Sequence, residues 1–439
     1  MRNQRFFLLV VFSLLLVVPF SVMAQEQPIV IDFYYPTAVD APITEIIQGY
    51  VDQFQEQNPG ITINATYTGS YTQTTQTIQT ELSGGGSGPD VAVMLSTDLL
   101  TFTEAGTIVP VQSYIDSMDD AQTFVDDFFP ALLLNSKDEE GTIWSLPFQR
   151  STPILFYNVE MLHEAGYDAP PENNAELLEM AEALTKDDGS QWGLLVPFAG
   201  GFPIWMFQSF AIGYGQNIGT DNPTEVFLDN PQVLEALDFS TKLGTDDQVG
   251  PLGGSVWGDT PTAFIGGQAA MIYHTTGSLT NILNNAPFEV GVSFLPSGPA
   301  GADGTGYGAP TGGGNLYLFD SPAQPHTPEE LDAAWKWIEF LASPEIQSDW
   351  GAATGYIAAR SSAWELDPLK SLADEHPQYY VARDQLQFAD REFASYRSVD
   401  VTNIINQTLS GILSGSETDA AAALSSAQAQ IDSLLAEYK

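Results

Sequence analysis

The stretch from residue 29 to residue 95 alternates between two hydrophobic patterns, and this alternation constrains the fold more than any other feature. The runs IVIDFYYP, ITINATY and VAVML are rich in β-branched and aromatic residues, which predicts strands. Between the first two, the apolar residues of PITEIIQGYVDQFQEQ recur at helical spacing until Asn58-Pro59-Gly60, and YTQTTQTIQTEL predicts a second helix. This strand-helix-strand-helix-strand order is typical of a parallel, doubly wound α/β sheet.

The same alternation resumes after residue 150. ILFYN and WGLLVP predict strands around the helices VEMLHEAG and AELLEMAEALTK, and AAMIYH, FEVGVSFLPSG and NLYLF predict later strands, with a glycine-rich loop over 298–314. PQVLEALDFSTKLG, TPTAFIGG and the Ala-rich residues 420–438 predict helices, and Thr327, Pro328 and Glu330 predict a helix capped by Thr327. Of the 439 residues, 44% are hydrophobic, which is enough for two cores, since one core stops growing near about 250–300 residues.

The N-terminus has the pattern of a secretory signal peptide. Arg2 and Arg5 precede an apolar run over residues 6–20, and SVMA predicts cleavage after Ala24. An uncleaved membrane anchor is less favoured because this run is short for a bilayer span. The sequence contains no cysteine, which excludes disulfides, thiolate catalysis and a lipid-modified cysteine. We expect an exported protein, periplasmic or extracellular, that is not lipid-anchored.

The charge balance is strongly acidic. Thirteen Lys and Arg face 56 Asp and Glu, so the net charge is −43, and about −45 once Arg2 and Arg5 leave with the signal peptide. Nucleic acid and anionic membranes are therefore excluded as partners. A solvated acidic surface that maintains solubility explains the charge, which says little about a ligand. Because so few basic residues remain, each arginine is a stronger candidate for a functional contact.

Motifs of metal, cofactor and nucleophile sites are missing from the sequence. None of the four His belongs to an HExxH motif or a close pair, and neither a GxSxG elbow nor a GxxxxGK[ST] phosphate loop occurs. GTGYGAPTGGG does not lead a strand into a helix, as a dinucleotide-binding motif would. We therefore predict no metal, no cofactor and no catalytic residue. A glycoside hydrolase with two carboxylates stays open, because 56 acids allow many pairs.

Polar and aromatic turns follow several predicted elements, where open α/β sheets bind ligands. Ser70 in YTGSY can cap a helix whose free N–H groups would receive a hydroxyl or an anion. The hydroxyls and guanidinium of RSTP can form several hydrogen bonds with one small polar molecule. HTTGSL, which contains Ser278, TGGGNL and ATGYIAAR are similar turns, and Trp205 in FAGGFPIWMF could form a stacking wall. Together these turns indicate a cleft.

The quoted turns and their neighbours resemble a known family. NPGITINATYTGSY, LPFQRSTPILFYN, AAMIYHTTGSL, VGVSFLPSG, GGGNLYLF and ASPEIQSDWGAATGYIAARSSAW are similar, in this order, to extracellular solute-binding proteins of ABC importers, the family that includes maltose-binding proteins. Within it the chain looks most like the glycerol-3-phosphate-binding branch. The resemblance implies an α/β, two-lobed periplasmic-binding-protein fold of type II, each lobe a mainly parallel sheet flanked by helices, which closes on its solute about a hinge and docks on a membrane permease.

The resemblance also implies ligand-binding residues. They fall on Tyr71, Ser151, Thr275, Gly313 and Tyr356.

Two positions depart from the branch. Its acidic residue after the third strand falls on Ser96, although Asp98 is near, and its arginine in the last helical segment falls on Thr402. A phosphate would then need another cation, for which Arg150, Arg360 and Arg397 are candidates. Without the arginine at position 402, a phosphate loses a hydrogen bond to a charged group, which contributes about 1.5–3 kcal/mol. A glycerophosphodiester or a neutral sugar is therefore an alternative ligand.

We therefore predict the substrate-binding component of an ABC transporter, with glycerol 3-phosphate, a glycerophosphodiester or a sugar as its solute. An oligosaccharide-binding protein of a sugar importer is the alternative, and a secreted carbohydrate-active hydrolase is less favoured. We expect a monomer in which lobe 1 comprises residues 25–150 and 311–343 and lobe 2 comprises residues 151–310 and 344–439. The lobes are predicted to cross near 147–151, 311–315 and 341–345.

Overall fold

The computed structural model describes residues 28–246, 248–299 and 308–439, so the predicted signal peptide lies outside the described residues. Nearly every run predicted above as a strand forms one. The strands are β1 (Ile29–Tyr35), β2 (Ile61–Tyr67), β3 (Val91–Leu95), β4 (Ile108–Val109), β5 (Ser145–Ser151), β6 (Pro153–Asn158), β7 (Trp192–Leu195), β8 (Ala269–Thr275), β9 (Val290–Ser293), β10 (Ala309–Pro310), β11 (Gly312–Phe319) and β12 (Ala389–Asp390).

Helices connect and cover these strands. They are α1 (Ile43–Gln57), α2 (Tyr71–Ser83), α3 (Leu99–Glu104), α4 (Gln112–Asp116), α5 (Ala121–Asp126), α6 (Val159–Glu164), α7 (Asn174–Leu184), α8 (Pro203–Gly213), α9 (Pro231–Lys242), α10 (Thr260–Ile265), α11 (Leu279–Asn285), α12 (Pro328–Leu341), α13 (Pro344–Thr354), α14 (Leu369–Glu375), α15 (Gln378–Asp384), α16 (Ser398–Leu413) and α17 (Ala420–Leu435). Within the described ranges, no helix has the length and apolar character that a bilayer crossing requires.

The predicted helix starts at Ser70 and Thr327 are confirmed. The Ser70 side chain accepts a hydrogen bond from the Gln73 N–H, and the Gln73 side chain accepts one from the Ser70 N–H. Thr327 and Glu330 form the same reciprocal capping box at the start of α12. Because these caps satisfy N–H groups that a helix leaves free, they fix where α2 and α12 begin.

Two sheets form the frames of the two lobes. The first sheet has the order β2-β1-β3-β11-β4, with β5 also paired to β11, and the second has the order β7-β8-β6-β9. Strand directions are more mixed than predicted: β1 pairs β2 and β3 in parallel and β7 pairs β8 in parallel, whereas β11 runs antiparallel to β3, β4 and β5, and β6 runs antiparallel to β8 and β9. All of these antiparallel pairs involve β6 or β11, the strands that follow the two places where the chain passes from one lobe to the other. Each enters its sheet from the other lobe, without the helical crossover that a parallel neighbour requires.

The core lies on both faces of the sheets. In lobe 1, Phe33 of β1 and Phe54 of α1 pack edge-on against Trp337 of α12, with ring centroids 5.4 and 5.1 Å apart. The ring of Trp350, in α13, stacks on Phe148 of β5 at 4.6 Å. These fully buried rings hold α12 and α13 against the first sheet. Strand β5, which ends at the Thr152 crossing, is thereby fixed from behind.

The chain crosses between the sheets at two adjacent places. Thr152 is the one residue between β5 and β6, and Thr311 is the one residue between β10 and β11. The Thr152 hydroxyl donates to the Pro310 carbonyl at 3.1 Å, which ties the two crossings together. Ser151, at the predicted lobe boundary, is the last residue of β5 and pairs with Gly312. The connection between α12 and α13 at the third predicted crossing contains Ala342 and Ser343, but the helices on both sides of it pack against the first sheet.

Candidate ligand-binding site

A cavity that is partly open to solvent lies where the two sheets meet, and the space between its lining atoms, open solvent included, is about 340 Å³. Lobe 1 contributes Ala38, Val39, Tyr71, Leu95 and Gly313 to its wall. Lobe 2 contributes Phe202, Trp205, Trp257 and Thr275, and the wall is completed by Ser151, Tyr356 and Glu392. Six of the residues predicted from the sequence, Tyr71, Ser151, Thr275, Gly313, Tyr356 and Trp205, therefore meet in one cavity.

Strands β5, β8 and β11 supply hydroxyl and backbone groups to this wall. Ser151 ends β5 and Thr275 ends β8, and both are nearly fully buried. Gly313 on β11 has φ +94, and a Cβ there would lie 2.0 Å from the Gln149 carbonyl oxygen. Only glycine fits this backbone conformation and this close approach. Gly313 therefore reaches the cavity wall as bare backbone.

Two tyrosines, Tyr71 and Tyr356, contribute phenol groups to the cavity wall. Tyr71, the first residue of α2, donates from its hydroxyl to Gln149 Oε1 at 2.7 Å. Tyr356 follows Gly355, which ends α13 in the left-handed conformation, and its ring stacks on Trp350 at 5.8 Å. Burial raises the pKa of both phenols above the ordinary value of 10.0. Both therefore stay neutral and can donate or accept hydrogen bonds.

The lobe 2 side is an aromatic wall of Phe202, Trp205 and Trp257. The Phe202 and Trp257 rings are 5.0 Å apart, and the Trp205 and Trp257 rings are 5.9 Å apart, both nearly perpendicular. The Trp205 indole N–H donates to the Thr311 carbonyl at 2.9 Å, so a crossing residue fixes its orientation. Such rings can stack on the apolar face of a sugar or hold an alkyl group.

His274 and Ser278 support this wall from behind. The His274 ring lies 4.3 Å from the Trp257 ring, and its Nε2 is 3.1 Å from the Trp257 carbonyl. Its Nδ1 is 3.0 Å from Ser278 Oγ. Burial lowers the pKa of His274 to about 4, which keeps the imidazole neutral. Ser278 was predicted to contact the ligand, but the structure places it behind the cavity wall.

Glu392 is the carboxylic acid of the wall. It is 6% exposed, and Ser96 Oγ lies 3.4 Å from its Oε2. Burial raises the pKa of Glu392 from 4.5 to about 8, although the nearby Arg150 guanidinium and the Ser96 hydroxyl act in the opposite direction. Ser96, a predicted contact, is thus a neighbour of Glu392 and does not line the cavity.

Arg150 lies one layer behind the wall. Its Nη1 donates to the Gly313 carbonyl at 3.1 Å and to Asn315 Oδ1 at 3.3 Å. Its Nε and Nη2 are buried and have no hydrogen-bond partner among the described residues. Burial lowers its pKa, which the negative field of Glu392 partly offsets. Arg150 therefore places a positive charge near the cavity without forming its surface.

The two other candidate cations lie elsewhere. Arg360 donates from Nε to Asp127 Oδ2 at 2.7 Å, and its guanidinium lies over two phenylalanine rings. Arg397 is an exposed residue paired with Asp400 at 2.7 Å and Glu437 at 3.3 Å. Neither guanidinium lines the cavity, so the prediction of Arg397 as a ligand contact is wrong for this structure. Its ion pairs hold it at the surface.

Sequence reasoning missed Glu392, Trp257 and the small apolar residues Ala38, Val39 and Leu95. Phe202 stood in the quoted aromatic run without being singled out. The departure at Ser96 signals a missing acid, but no local pattern distinguishes Glu392 from the other acids. Trp257 follows a loop without any predicted element. Both reach the cavity through long-range contacts, which periodicity does not report.

Comparison with known proteins gives the family. The family model described as bacterial extracellular solute-binding protein matches residues 49–377. The chain belongs to this family. Its members are binding proteins that capture small polar solutes and deliver them to ABC permeases, and the predicted family and two-lobed fold are confirmed.

Curated relatives include the sn-glycerol-3-phosphate-binding periplasmic proteins UgpB. That of Escherichia coli O1:K1 is 26% identical over 390 residues, covering 83% of this chain and 82% of the relative. That of Yersinia pseudotuberculosis is 25% identical over 366 residues, covering 80% and 79%. These periplasmic relatives imply that this family member is exported.

Solved structures share the fold across nearly the whole chain. UgpB from Mycobacterium tuberculosis in complex with glycerophosphocholine superposes with a TM-score of 0.79 at 23% identity, covering 94% of this chain and 99% of the other. Maltose-bound MalE3 of T. maritima superposes with a TM-score of 0.78 at 21% identity, covering 92% and 100%. The same two-lobed frame is thus present in proteins whose ligands differ in chemistry.

Proposed function

We propose that this protein is the substrate-binding component of an ABC importer that captures a glycerol phosphate, a glycerophosphodiester or a sugar outside the cytoplasmic membrane. One observation carries the proposal. Tyr71, Ser151, Thr275, Gly313 and Tyr356, the positions onto which the ligand contacts of the glycerol-3-phosphate-binding branch fall, all line one cavity between the lobes. They come from five separate stretches of the chain, so their convergence is not a consequence of sequence proximity.

The cavity suits reversible capture. Its wall is formed by both lobes, and the Trp257 indole N–H of lobe 2 lies 3.5 Å from the Ala38 carbonyl of lobe 1. A solute that contacts both walls gains its full set of contacts only when the lobes are closed. Binding would therefore shift the population toward the closed form. The permease would recognise that form.

The wall supports a binding protein over a hydrolase. Glu392 is the one carboxylate among the described residues that line the cavity. Most glycoside hydrolases use a pair of carboxylates that flank the scissile bond. We therefore propose that no bond of the solute is broken and that the solute is released unchanged. We also propose that the protein is an exported monomer. It would have no lipid anchor of the cysteine-linked kind, because the sequence contains no cysteine.

A panel of solutes tests this function. Glycerol 3-phosphate, glycerophosphocholine, maltose and maltotriose would be added to the purified protein in a thermal-shift assay, because a ligand specific for the native state raises the midpoint. A hit would be confirmed by calorimetry, and small-angle scattering would measure closure. We expect at least one hit that compacts the protein and returns chemically unchanged. Turnover of the hit, or no hit in the panel, would refute the proposal.

Ser151→Ala provides the site-specific arm. Removing a hydroxyl from the cavity wall should weaken binding of the hit at least about tenfold, or about 1.4 kcal/mol. Ser425→Ala, at an exposed position on α17, is the matched control and should leave affinity unchanged. The melting midpoint of the ligand-free protein should be nearly the same in both variants. A drop in that midpoint without a loss of affinity would make Ser151 structural.

A further inference from the structure

Glu392 brings a carboxyl group to the position where the sequence lacks one. The resemblance expects an acid at position 96, where this chain has Ser96. In the structure, Ser96 Oγ lies 3.4 Å from Glu392 Oε2, although the two residues are 296 positions apart in the sequence. Glu392 lines the cavity, whereas Ser96 lies behind it. The acid is thus supplied from another segment of the chain.

Both lobes hold the Glu392 backbone in place. The Asn135 side chain in lobe 1 forms two hydrogen bonds with it: Nδ2 donates to the Glu392 carbonyl and Oδ1 accepts from the Glu392 N–H, both at 2.9 Å. On the lobe 2 side, Gln208 Oε1 of α8 accepts from the N–H of the next residue, Phe393, at 3.1 Å. Asn135 and Gln208 are both buried. A carboxyl held in this way is part of a built site and is not a surface acid.

Asp98 does not fill this role, although it is close to Ser96 in the sequence. Its Oδ2 accepts a hydrogen bond from Thr75 Oγ1 at 2.9 Å, which ties it to α2. It does not contribute to the cavity wall. Asp98 and Glu392 therefore offer a matched pair: two acids near Ser96, of which one faces the cavity.

The chemistry around Glu392 favours hydroxyl groups. A carboxyl accepts hydrogen bonds from hydroxyls when ionised, and donates one as well when protonated. The neighbouring wall consists of aromatic rings and neutral hydroxyls, and none of the described lining residues is Lys, Arg or His. A phosphate monoester, with a charge near −2 at neutral pH, would find no cation among these lining residues to neutralise it. Vicinal hydroxyls would be bound.

We infer that Glu392 is a specificity-determining residue that replaces the acid expected at position 96 and binds the hydroxyl groups of a sugar or of the glycerol end of a glycerophosphodiester. This inference rests on the proposed function and narrows its substrate class. Glycerol 3-phosphate is then the least favoured of the three candidate solutes.

Calorimetry with maltose, glycerophosphocholine and glycerol 3-phosphate tests this assignment on the full chain. We expect the wild type to bind maltose or glycerophosphocholine at least tenfold more tightly than glycerol 3-phosphate. Glu392→Ala should weaken binding of the preferred probe at least tenfold and reduce the ratio between its affinity and that for glycerol 3-phosphate. Asp98→Ala, the matched control, should change the affinity less than twofold.

A swap variant separates a lost contact from a general disturbance. In Ser96→Glu combined with Glu392→Ala, the carboxylate returns to the position expected from the branch, and we expect at least a threefold recovery over Glu392→Ala alone. Tightest binding of glycerol 3-phosphate by the wild type, or unchanged affinity in Glu392→Ala, would overturn the inference and leave the proposed function intact. Failure of all three probes to bind the wild type would overturn both.

Discussion

The buried carboxyl of Glu392 should make the stability of the ligand-free protein depend on pH. Burial raises its pKa in the folded protein from 4.5 to about 8, while Arg150 and Ser96 act in the opposite direction and Asp98 adds to the rise. The folded state therefore retains a proton that the unfolded chain releases. For an acid with a raised pKa, stability is highest below the unfolded pKa and falls as pH rises toward the folded pKa.

Glu392→Gln removes this cost, because glutamine does not ionise. At about 1.4 kcal/mol per pKa unit, the full change across the window from about 4.5 to about 8 is on the order of 5 kcal/mol. Relaxation around a buried charge reduces the observed cost, so we expect the variant to gain roughly 2–4 kcal/mol relative to the wild type between the two ends of the window. The gain should level off above the folded pKa.

Urea unfolding followed by tryptophan fluorescence, at a series of values between about pH 5 and about pH 9, measures this difference. Glu56→Gln is the matched control: it removes an exposed carboxylate of α1, and so reports the effect of reducing the large negative charge. His274, His326 and other titrating groups are present in all three proteins and largely cancel in the comparison. If the Glu392→Gln difference does not change with pH, or changes as in Glu56→Gln, the carboxyl is not desolvated and the reasoning is wrong.

Three further substitutions test the frame around the site. Gly313→Ala should lower stability by at least roughly 1–3 kcal/mol in urea unfolding, because φ is +94 and its Cβ would lie 2.0 Å from a backbone carbonyl oxygen; Gly258→Ala, in open space, should change it little. Arg360→Met should cost about 3 kcal/mol by loss of its partly buried ion pair, while leaving solute affinity unchanged in calorimetry. The hydrogen bond to Asp90 raises the pKa of His326 above 6.5, so its contribution should be present below pH 6.5 and lost at higher pH. The thermal midpoint of His326→Asn should therefore fall short of the wild type mainly in acid.

Local sequence signals predicted the secondary structure well because the elements concerned carry their own periodicity and caps. The helices at Ser70 and Thr327 begin where their capping boxes lie. The TGGG segment was predicted as a loop, yet Gly312 to Gly314 form the start of β11. Its pairing with β5 is non-local. Glycine at this position allows the Trp205 indole to pack closely against the strand, since a Cβ on Gly312 would lie 2.4 Å from the indole nitrogen.

The candidate site was predictable only in part, for a related reason. Tyr71 begins a predicted helix, Ser151 precedes a predicted strand and Thr275 follows one, so their meeting at the sheet edges follows from the fold. Glu392 and Trp257 lie in segments without periodic patterns, and tertiary contacts alone bring them to the cavity. Arg397 and Ser278 looked equivalent to true wall residues in the sequence, but the structure assigns one to surface ion pairs and the other to support of His274.

The placement of Glu392 links specificity to closure. Its backbone is hydrogen-bonded to Asn135 of lobe 1, and the next residue is hydrogen-bonded to Gln208 of lobe 2. A solute hydroxyl that forms a hydrogen bond with this carboxyl is therefore bound at the junction of the two lobes. The aromatic wall contacts the rest of the solute from lobe 2. A solute with hydroxyls but no apolar face, or with an apolar face but no hydroxyls, would contact one of these surfaces and gain little from closure. Since a ligand shifts a population only by its differential affinity for the two states, the protein should close on solutes that combine both features.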